Sequence, residues 1–266
     1  MRRFFGKYRG KVASNLDPLQ LGRLQVSIPS VYGSDRLNWA MPCTPYAGNG
    51  VGWFAVPPLD ANVWVEFEAG DPDYPIWSGC FWNLKQNPAS PQALPTTKML
   101  KTESFKITLD DIPGAGKLQV DCAAPAIAGL PQKMVFDSTG IQLKIGELTS
   151  VKMTPTEIEL KIGETSRVTL RLQDIELQEG AVSVQLMLTG ISLEALPASL
   201  KLATTSGTEI TYPPATVKIA ASGVELGAAV ANLKVTPATV DISNTAASII
   251  LSPISVNVNN GALEVI

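Results

Sequence analysis

Histidine is absent from the 266 residues of this chain. Without it, the sequence cannot build a Ser-His-Asp triad, a Cys-His pair or a zinc site with imidazole ligands, which are common designs of hydrolytic enzymes. Any catalytic site would have to rest on carboxylates.

Cysteine and long apolar runs are also scarce. Cys43, Cys80 and Cys122 form an odd, widely spaced set, which predicts free thiols in a reducing compartment rather than a disulfide framework. The N-terminus lacks the apolar run of about 7–15 residues that a secretory signal needs, and no stretch approaches the roughly 20 apolar residues of a membrane span. We expect a soluble chain, made in the cytoplasm without a signal peptide.

Charge of one sign is not concentrated anywhere. The chain has 21 Lys and Arg against 24 Asp and Glu, a net charge of −3, and no basic block. Nucleic-acid binding without sequence preference draws on a positive surface, so we expect no nucleic acid partner. A hydrophobic content of 45% excludes disorder and suffices for one or two cores.

Aromatic residues are missing from most of the second half. All five Trp lie within the first 82 residues, and Tyr212 is the only aromatic residue from position 137 onward. The two halves therefore need different architectures. Between them, residues 83–95 carry three prolines among mostly small and polar residues, which is typical of an extended connector. We predict a first domain over 1–84 and a linker over 85–101.

Short alternating segments between Gly and Pro turns indicate a small all-β barrel in residues 1–84. Leu24, Val26 and Ile28, for example, alternate with polar residues as in a half-buried strand. Five or six strands in so short a segment favour a closed or nearly closed barrel, which hides strand edges. The strands are predicted over residues 8–13, 22–28, 39–42, 51–56, 63–68 and 76–82.

An ordered series of motifs runs through this segment, from Asp-Pro through Gly-Arg and Trp-Ala to Phe-Glu-x-Gly-Asp-Pro-Asp-x-Pro. Over residues 7–82 the series resembles the OB-fold domain of the central spike family of contractile injection systems, which comprises baseplate assembly protein V, the gene-5-type tail spikes and VgrG. The family positions marked by the resemblance are Asp17, Pro18, Gly22, Arg23, Trp39, Phe67, Gly70, Asp71, Pro72, Pro75 and Gly79.

One turn departs from the family pattern. The family usually has Pro-x-x-Gly-Asp before the strand that begins at Val63, whereas this chain has Pro57-Pro58-Leu59-Asp60-Ala61. The missing Gly leaves the shape of this turn open.

The tryptophans allow two interpretations. OB folds can bind single-stranded nucleic acid or sugars through exposed aromatic residues over a positive groove. Lys and Arg are sparse near Trp39, Trp53, Trp64 and Trp77. We therefore favour the interpretation that these side chains fill the barrel or the contact between copies.

From about residue 141 the chain repeats an apolar-polar-apolar strand followed by a Gly, Pro or Asn turn. Between the repeats that begin at 191 and 263, nine steps cover 72 residues, a mean of 8.0 residues. Each unit offers two inward apolar residues, too few to bury a core alone, so the units must stack.

Two stacked architectures fit the octad: a single-chain parallel β-helix, or a triple-stranded β-helix in which three identical chains wind together and ladder neighbours belong to different chains. The octad resembles the C-terminal needle of the spike family, it follows the barrel in the family's order, and the aromatic stacks and Asn ladders of single-chain solenoids are absent. We predict an intertwined homotrimeric needle over 141–266, roughly 70 Å long, and an irregular β-prism neck over 102–140.

Two adjacent carboxylates in the neck, Asp110 and Asp111, could suggest an acid–base or metal pair. Adjacent strand residues point to opposite faces, so we expect a solvated turn instead.

The resemblance implies a structural function. Many phage relatives carry a lysozyme domain between barrel and needle, but about 20 residues separate Trp82 from Thr102 and leave no room for one. We therefore predict a non-enzyme without cofactor or metal: a trimeric, membrane-piercing spike in the baseplate of a phage tail or phage-tail-like particle. Phage tails, type VI machines and extracellular injection systems share this spike.

The resemblance also implies partners. The chain starts within a few residues of the barrel, which predicts a separate hub protein and favours systems other than type VI. After Asp241 the only charged residue is Glu264, so we expect a blunt apolar end that binds a PAAR-type tip protein through Leu263, Val265 and Ile266. Effector cargo and transient contact with a target membrane complete the expected partners.

The alternative function is a β-helical receptor-binding or polysaccharide-degrading tailspike. It would need an acidic or aromatic groove on the needle, for which the sequence offers Tyr212 and scattered Glu residues.

Overall fold

The computed structural model describes residues 2–34, 36–89, 94–259 and 261–265, without the side chains of residues 264 and 265. Apart from two short helical turns the described chain is all-β, which confirms the predicted class. It divides into two units, residues 1–94 and 95–266.

A closed five-stranded barrel forms the first unit. Its elements are β1 (Tyr8–Ser14), β2 (Leu24–Ser27), α1 (Pro29–Tyr32), β3 (Leu37–Pro42), β4 (Ala47–Gly48), β5 (Val51–Gly52), β6 (Asn62–Phe67), a 3-10 turn (Glu68–Gly70) and β7 (Pro75–Cys80). The barrel order is β1-β2-β3-β7-β6, and all pairs are antiparallel except β3 with β7. The two-residue strands β4 and β5 form a separate hairpin. This arrangement confirms the predicted N-terminal barrel.

Aliphatic side chains fill the barrel because they occupy the inward positions of β1, β2, β3 and β6. The buried core consists of Val12, Leu24, Val26, Ile28, Ala40, Val63, Val65 and Phe67. No described tryptophan belongs to this core, so the first alternative, that tryptophans fill the barrel, is wrong, whereas the second, a contact between copies, stays a prediction. Trp77 packs against the core from the barrel wall and remains half-buried.

The second unit is a single meandering sheet. Its strands are β8 (Thr97–Lys101), β9 (Phe105–Asp110), β10 (Lys117–Cys122), β11 (Gln132–Asp137), β12 (Gly140–Ile145), β13 (Thr149–Met153), β14 (Glu157–Ile162), β15 (Ser166–Arg171), β16 (Asp174–Glu179), β17 (Val182–Met187), β18 (Gly190–Ala195), β19 (Ala198–Ala203), β20 (Gly207–Tyr212), β21 (Ala215–Ala220), β22 (Gly223–Ala228), β23 (Ala231–Val235), β24 (Val240–Ser243), β25 (Ser248–Leu251), β26 (Val256–Val258) and β27 (Leu263–Val265).

Each of these strands pairs with the next one along the chain, always antiparallel. The octad is a six-residue strand plus a two-residue turn such as Leu188-Thr189 or Ala221-Ser222. So short a link can join only antiparallel neighbours.

The expectation that ladder neighbours come from different chains therefore needs correction, because the neighbours belong to the same chain. The long antiparallel β region itself is compatible with the predicted needle. The sheet also begins earlier than the sequence suggests: β8 lies within the segment 85–101, and the strands of 102–140 continue directly into the later ones.

Candidate functional site

Two columns of aliphatic side chains run along one face of the second unit's sheet. Leu193 of β18 lies opposite Val184 of β17 on one side and Leu200 of β19 on the other. The pairing recurs from β14 to β26, where every position in the two columns is Ile, Leu or Val except Thr208. We call this surface the apolar face.

No layer of the described part of residues 95–266 covers the apolar face. Most of the Ile, Leu and Val side chains in its columns retain between 36% and 49% of their full exposure, and the others, such as Val184 and Leu200, are half-buried. The buried side chains of the described unit are Thr108, Thr169 and Ser192, which lie on the opposite face. A sheet with one apolar side must bury that side against another layer, so this unit lacks its own core.

The opposite face carries a column of alternating charge. Lys201, Glu209, Lys218, Glu225, Lys234 and Asp241 face one another in turn on β19 to β24. The Nζ of Lys218 lies 3.5 Å from Oε1 of Glu209, and the Nζ of Lys234 lies 2.5 Å from Oε1 of Glu225. Opposite charges directly across a strand pair stabilise the pairing. This face suits contact with water.

The sheet narrows toward its C-terminal end. β22 has six residues, β23 has five, β24 and β25 have four, and β26 and β27 have three. At about 3.3 Å per residue, the width falls from about 20 Å to about 10 Å. The blunt end expected from the sequence is therefore a narrow one.

In the barrel, an ion pair organises the loop between β1 and β2. Nη2 of Arg23 lies 2.8 Å from Oδ1 of Asp17, whose side chain is 5% exposed. The carboxylate also accepts hydrogen bonds from the backbone N–H groups of Leu19, Leu21 and Arg23. The Arg23 guanidinium holds the pKa of the Asp17 carboxyl far below its usual range, and the three N–H groups lower it further. Desolvation opposes this shift.

We call the Asp17–Arg23 ion pair and its backbone hydrogen bonds the Asp17 clamp. Two tryptophans contact residues of this loop. The guanidinium of Arg23 lies 5.2 Å from the centre of the Trp39 ring. Nε1 of Trp77 donates a hydrogen bond of 3.2 Å to the carbonyl oxygen of Gly22. The family positions Asp17, Gly22, Arg23 and Trp39 thus meet at one place, together with Trp77.

The later family positions shape the turn between β6 and β7. Gly70 has φ +79°, and a Cβ there would lie 2.9 Å from the Phe5 ring. The Asp71 carboxylate accepts a 3.0 Å hydrogen bond from the N–H of Asp73, and the Tyr32 hydroxyl donates a 2.6 Å bond to the carbonyl oxygen of Pro72. Phe67 and Pro75 are buried. Gly79, at φ +137°, has open space around its Cα.

Residues 8–82 match the family model of the type VI secretion system and phage-baseplate injector OB domain. This match supports a protein of the baseplate-spike type, and the closed barrel that it covers is consistent with an OB domain. The match runs from the first residue of β1 to just beyond β7, so it contains the whole barrel. No curated protein matches the chain.

The turn in which the family's Gly is missing contains a residue in the left-handed region. Asp60 adopts φ +62°, and its N–H donates a 3.0 Å hydrogen bond to the carbonyl oxygen of Val12. Asp tolerates the left-handed region better than most residues with a side chain. Asp60 can therefore occupy this left-handed position in place of a Gly.

The remaining candidate residues lie in the second unit. Leu263 is 59% exposed on the last strand, whereas Ile266 and the side chain of Val265 lie outside the described residues. Asp111 contacts Lys98 and Asp110 accepts from Thr97, so their side chains diverge. In the described part of the chain, no three His, Cys, Asp or Glu residues are grouped to hold a metal ion, and no helix is long and apolar enough to cross a membrane.

We predict that Asp17→Asn destabilises the barrel, because Asn keeps the size of the side chain but loses the charge that pairs with Arg23. At neutral pH the melting temperature, followed by tryptophan emission, should fall by roughly 5 °C or more. Because the pKa of Asp17 is lower in the folded state, its ionised carboxylate stabilises the fold at pH values above the ordinary Asp pKa of about 3.9. This contribution is lost as the pH falls below that value toward the folded-state pKa. The gap between wild type and variant should therefore shrink in acid.

Asp73→Asn is the matched control, since Asp73 pairs with Arg36 at the surface and both side chains are about half exposed. Exposed ion pairs contribute little to the free energy of unfolding. A loss in Asp73→Asn equal to that in Asp17→Asn, or a pH-independent gap, would contradict the role assigned to the Asp17 clamp.

The backbone of Asp60 generates a second prediction. Asp60→Val should destabilise the barrel by about 1–2 kcal/mol, because a β-branched side chain is strained in the left-handed region. Asp60→Gly should be as stable as wild type or more stable. Urea unfolding followed by tryptophan emission measures both, and a Val variant as stable as the Gly variant would show that the turn does not need a left-handed residue.

Proposed function

We propose that this chain is the trimeric central spike of a contractile injection machine, in a phage tail or phage-tail-like particle. The observation that carries the proposal is the uncovered apolar face, on a chain whose barrel matches the injector OB domain. Two or more copies must supply the missing layer, and the family of the barrel works in a baseplate. The proposed role is structural and involves no catalysis or cofactor.

Three copies suit the width of the sheet. Six residues span about 20 Å, and the sides of an equilateral triangle of that size lie about 6 Å from its axis. Half the usual spacing between packed sheets is about 5 Å. Aliphatic side chains from three faces would therefore meet at the axis of a prism with little empty space.

Covering the apolar face would contribute a large favourable free energy to association of the copies. Removing the remaining exposed area of one Leu or Ile contributes about 1 kcal/mol. Repeated over two columns and thirteen strands, the total exceeds the roughly 4–15 kcal/mol that association costs. The copies should form a permanent assembly.

The narrowing of the sheet supports a piercing role. Twenty strands at about 4.8 Å each give a prism about 90 Å long, and its last five strands lose half their width. A rod of this form concentrates an axial load on a small area of the target membrane.

Hub and tip remain part of the proposal. The OB domain would sit on a separate baseplate hub protein. The narrow end, with Leu263, Val265 and Ile266, would bind a PAAR-type tip protein. Effector cargo could travel with the spike.

The mass of the full chain in solution tests the trimer. Light scattering should give three times 28.3 kDa, because the apolar face needs partners. A stable monomer or dimer in dilute buffer would sink the proposal.

Substitutions on the two faces of β18 test which face is covered. We predict that Leu193→Lys abolishes the trimer, because it places a charge within an aliphatic column. Glu194→Lys introduces the same residue at the next position, on the charged face, and should leave the trimer intact. Light scattering and circular dichroism of both variants separate loss of assembly from loss of strand structure. Equal behaviour of the two variants would contradict an inward apolar face.

A further inference from the structure

The hairpin β4–β5 displays aromatic side chains that the barrel does not cover. Tyr46 is 60% exposed, Val51 54%, Trp53 58% and Phe54 79%. We call these four residues the hairpin patch. The sequence gives no reason to separate Trp53 from the other tryptophans, because its neighbours alternate as in an ordinary strand.

The hairpin holds this patch in a fixed arrangement. The N–H of Trp53 donates a 2.8 Å hydrogen bond to the carbonyl oxygen of Tyr46, and the Thr44 hydroxyl donates to the carbonyl oxygen of Trp53. At Gly52 a Cβ would lie 2.9 Å from that same Tyr46 oxygen. A preorganised surface loses little entropy when it is covered.

A cavity of about 610 Å³ lies between the hairpin and the barrel wall. Leu21, Pro42 and Trp77 form part of its lining, and none of its lining residues is charged. The Nε1 of Trp77 already donates to Gly22, so the wall offers a partner mainly apolar surface.

The exposed area is of interface size. An aromatic side chain presents about 150–250 Å², so Tyr46, Trp53 and Phe54 together expose roughly 300–500 Å² of mostly apolar surface. That equals the largest patch on a typical monomer, about 300–600 Å². It supplies about half of the roughly 800 Å² that each partner contributes to a standard interface.

The absence of charge favours a permanent partner. Interfaces between copies of one chain are more apolar than those of separable complexes. Another aromatic surface of the barrel differs in this respect: the guanidinium of Arg9 lies 5.3 Å from the Trp64 ring and 4.9 Å from the Phe81 ring. A charged surface of that kind suits a separable protein partner better than the hairpin patch does.

The second unit brings the copies together. Its apolar face requires other copies of the chain, and each copy carries its barrel on the same polypeptide. Barrels tethered in this way meet at a high effective concentration, so apolar barrel surfaces of modest area suffice for contact.

We infer that the hairpin patch is a contact between the barrels of neighbouring copies of this chain. The inference rests on the proposed trimer. It assigns a second interface, on the OB domain, in addition to the one along the sheet.

Trp53 and Trp82 provide the test, because their exposed fractions in one copy are nearly equal, 58% and 65%. A difference between them in the full-length protein must come from a partner. The emission of Trp53 is the difference between wild type and Trp53→Phe, and that of Trp82 is the difference between wild type and Trp82→Phe. Acrylamide quenching of each component is compared with that of free N-acetyl-tryptophanamide, and light scattering is recorded on the same samples.

We expect Trp53 in the trimer to be blue-shifted and quenched severalfold less than the free compound, with Trp82 quenched more strongly than Trp53. A trimer in which Trp53 is quenched as strongly as free tryptophan overturns the inference and leaves the spike standing. Shielding that appears only after a hub protein is added also overturns it, and assigns the patch to the hub. A monomer overturns both this inference and the proposed function.

Discussion

The second unit depends on one constraint, the need to cover an apolar sheet face that the described chain leaves open. Its strands satisfy their own backbone hydrogen bonds, since each pairs with its neighbour in the chain. Their side chains do not form a core, and hydroxyl residues such as Thr169 are the buried ones. Secondary structure is therefore local in this unit, whereas in the proposed trimer its core would come from other copies. The charged column on the other face is consistent with the proposed assembly, which turns the aliphatic columns inward.

The repeat shows how far the sequence could lead. The octad, the strand positions and the two inward apolar residues per unit follow from side-chain period alone. The direction of pairing also lies in the sequence, because six strand residues leave two for the turn and two residues join antiparallel strands. The resemblance to an intertwined needle led instead to the prediction that neighbouring strands come from different chains. What the period cannot show is the loss of strand length after β22, because strand ends depend on local turns. In the turn of residues 236–239, for example, the Thr236 hydroxyl oxygen accepts hydrogen bonds from the N–H groups of Ala238 and Thr239.

In the barrel, the sequence predicted the fold but not the contacts between distant residues. Its motifs predicted the OB domain, yet no spacing rule says that Asp17, Arg23, Trp39 and Trp77 meet, since these residues come from a loop and two strands that are distant in the sequence. Asp60 illustrates the limit of a motif, because a left-handed residue occupies this turn without the Gly of the family pattern. Trp53 illustrates the limit of composition. Its exposure depends on a hairpin that projects from the barrel, and residue counts cannot separate it from half-buried Trp39 and Trp64.

Pairing within one chain changes how the proposed needle would resist force. In an intertwined rod, separation of the copies would break backbone ladders; here the ladders stay intact when copies part, and only side-chain burial holds the copies together. Burial is proportional to area, so resistance is greatest where the strands have six residues and least at the narrow end. A spike of this design would yield at its tip first, which gives a tip protein a mechanical reason to cap it. The barrel has its own buried core, so it does not depend on the other copies for its fold.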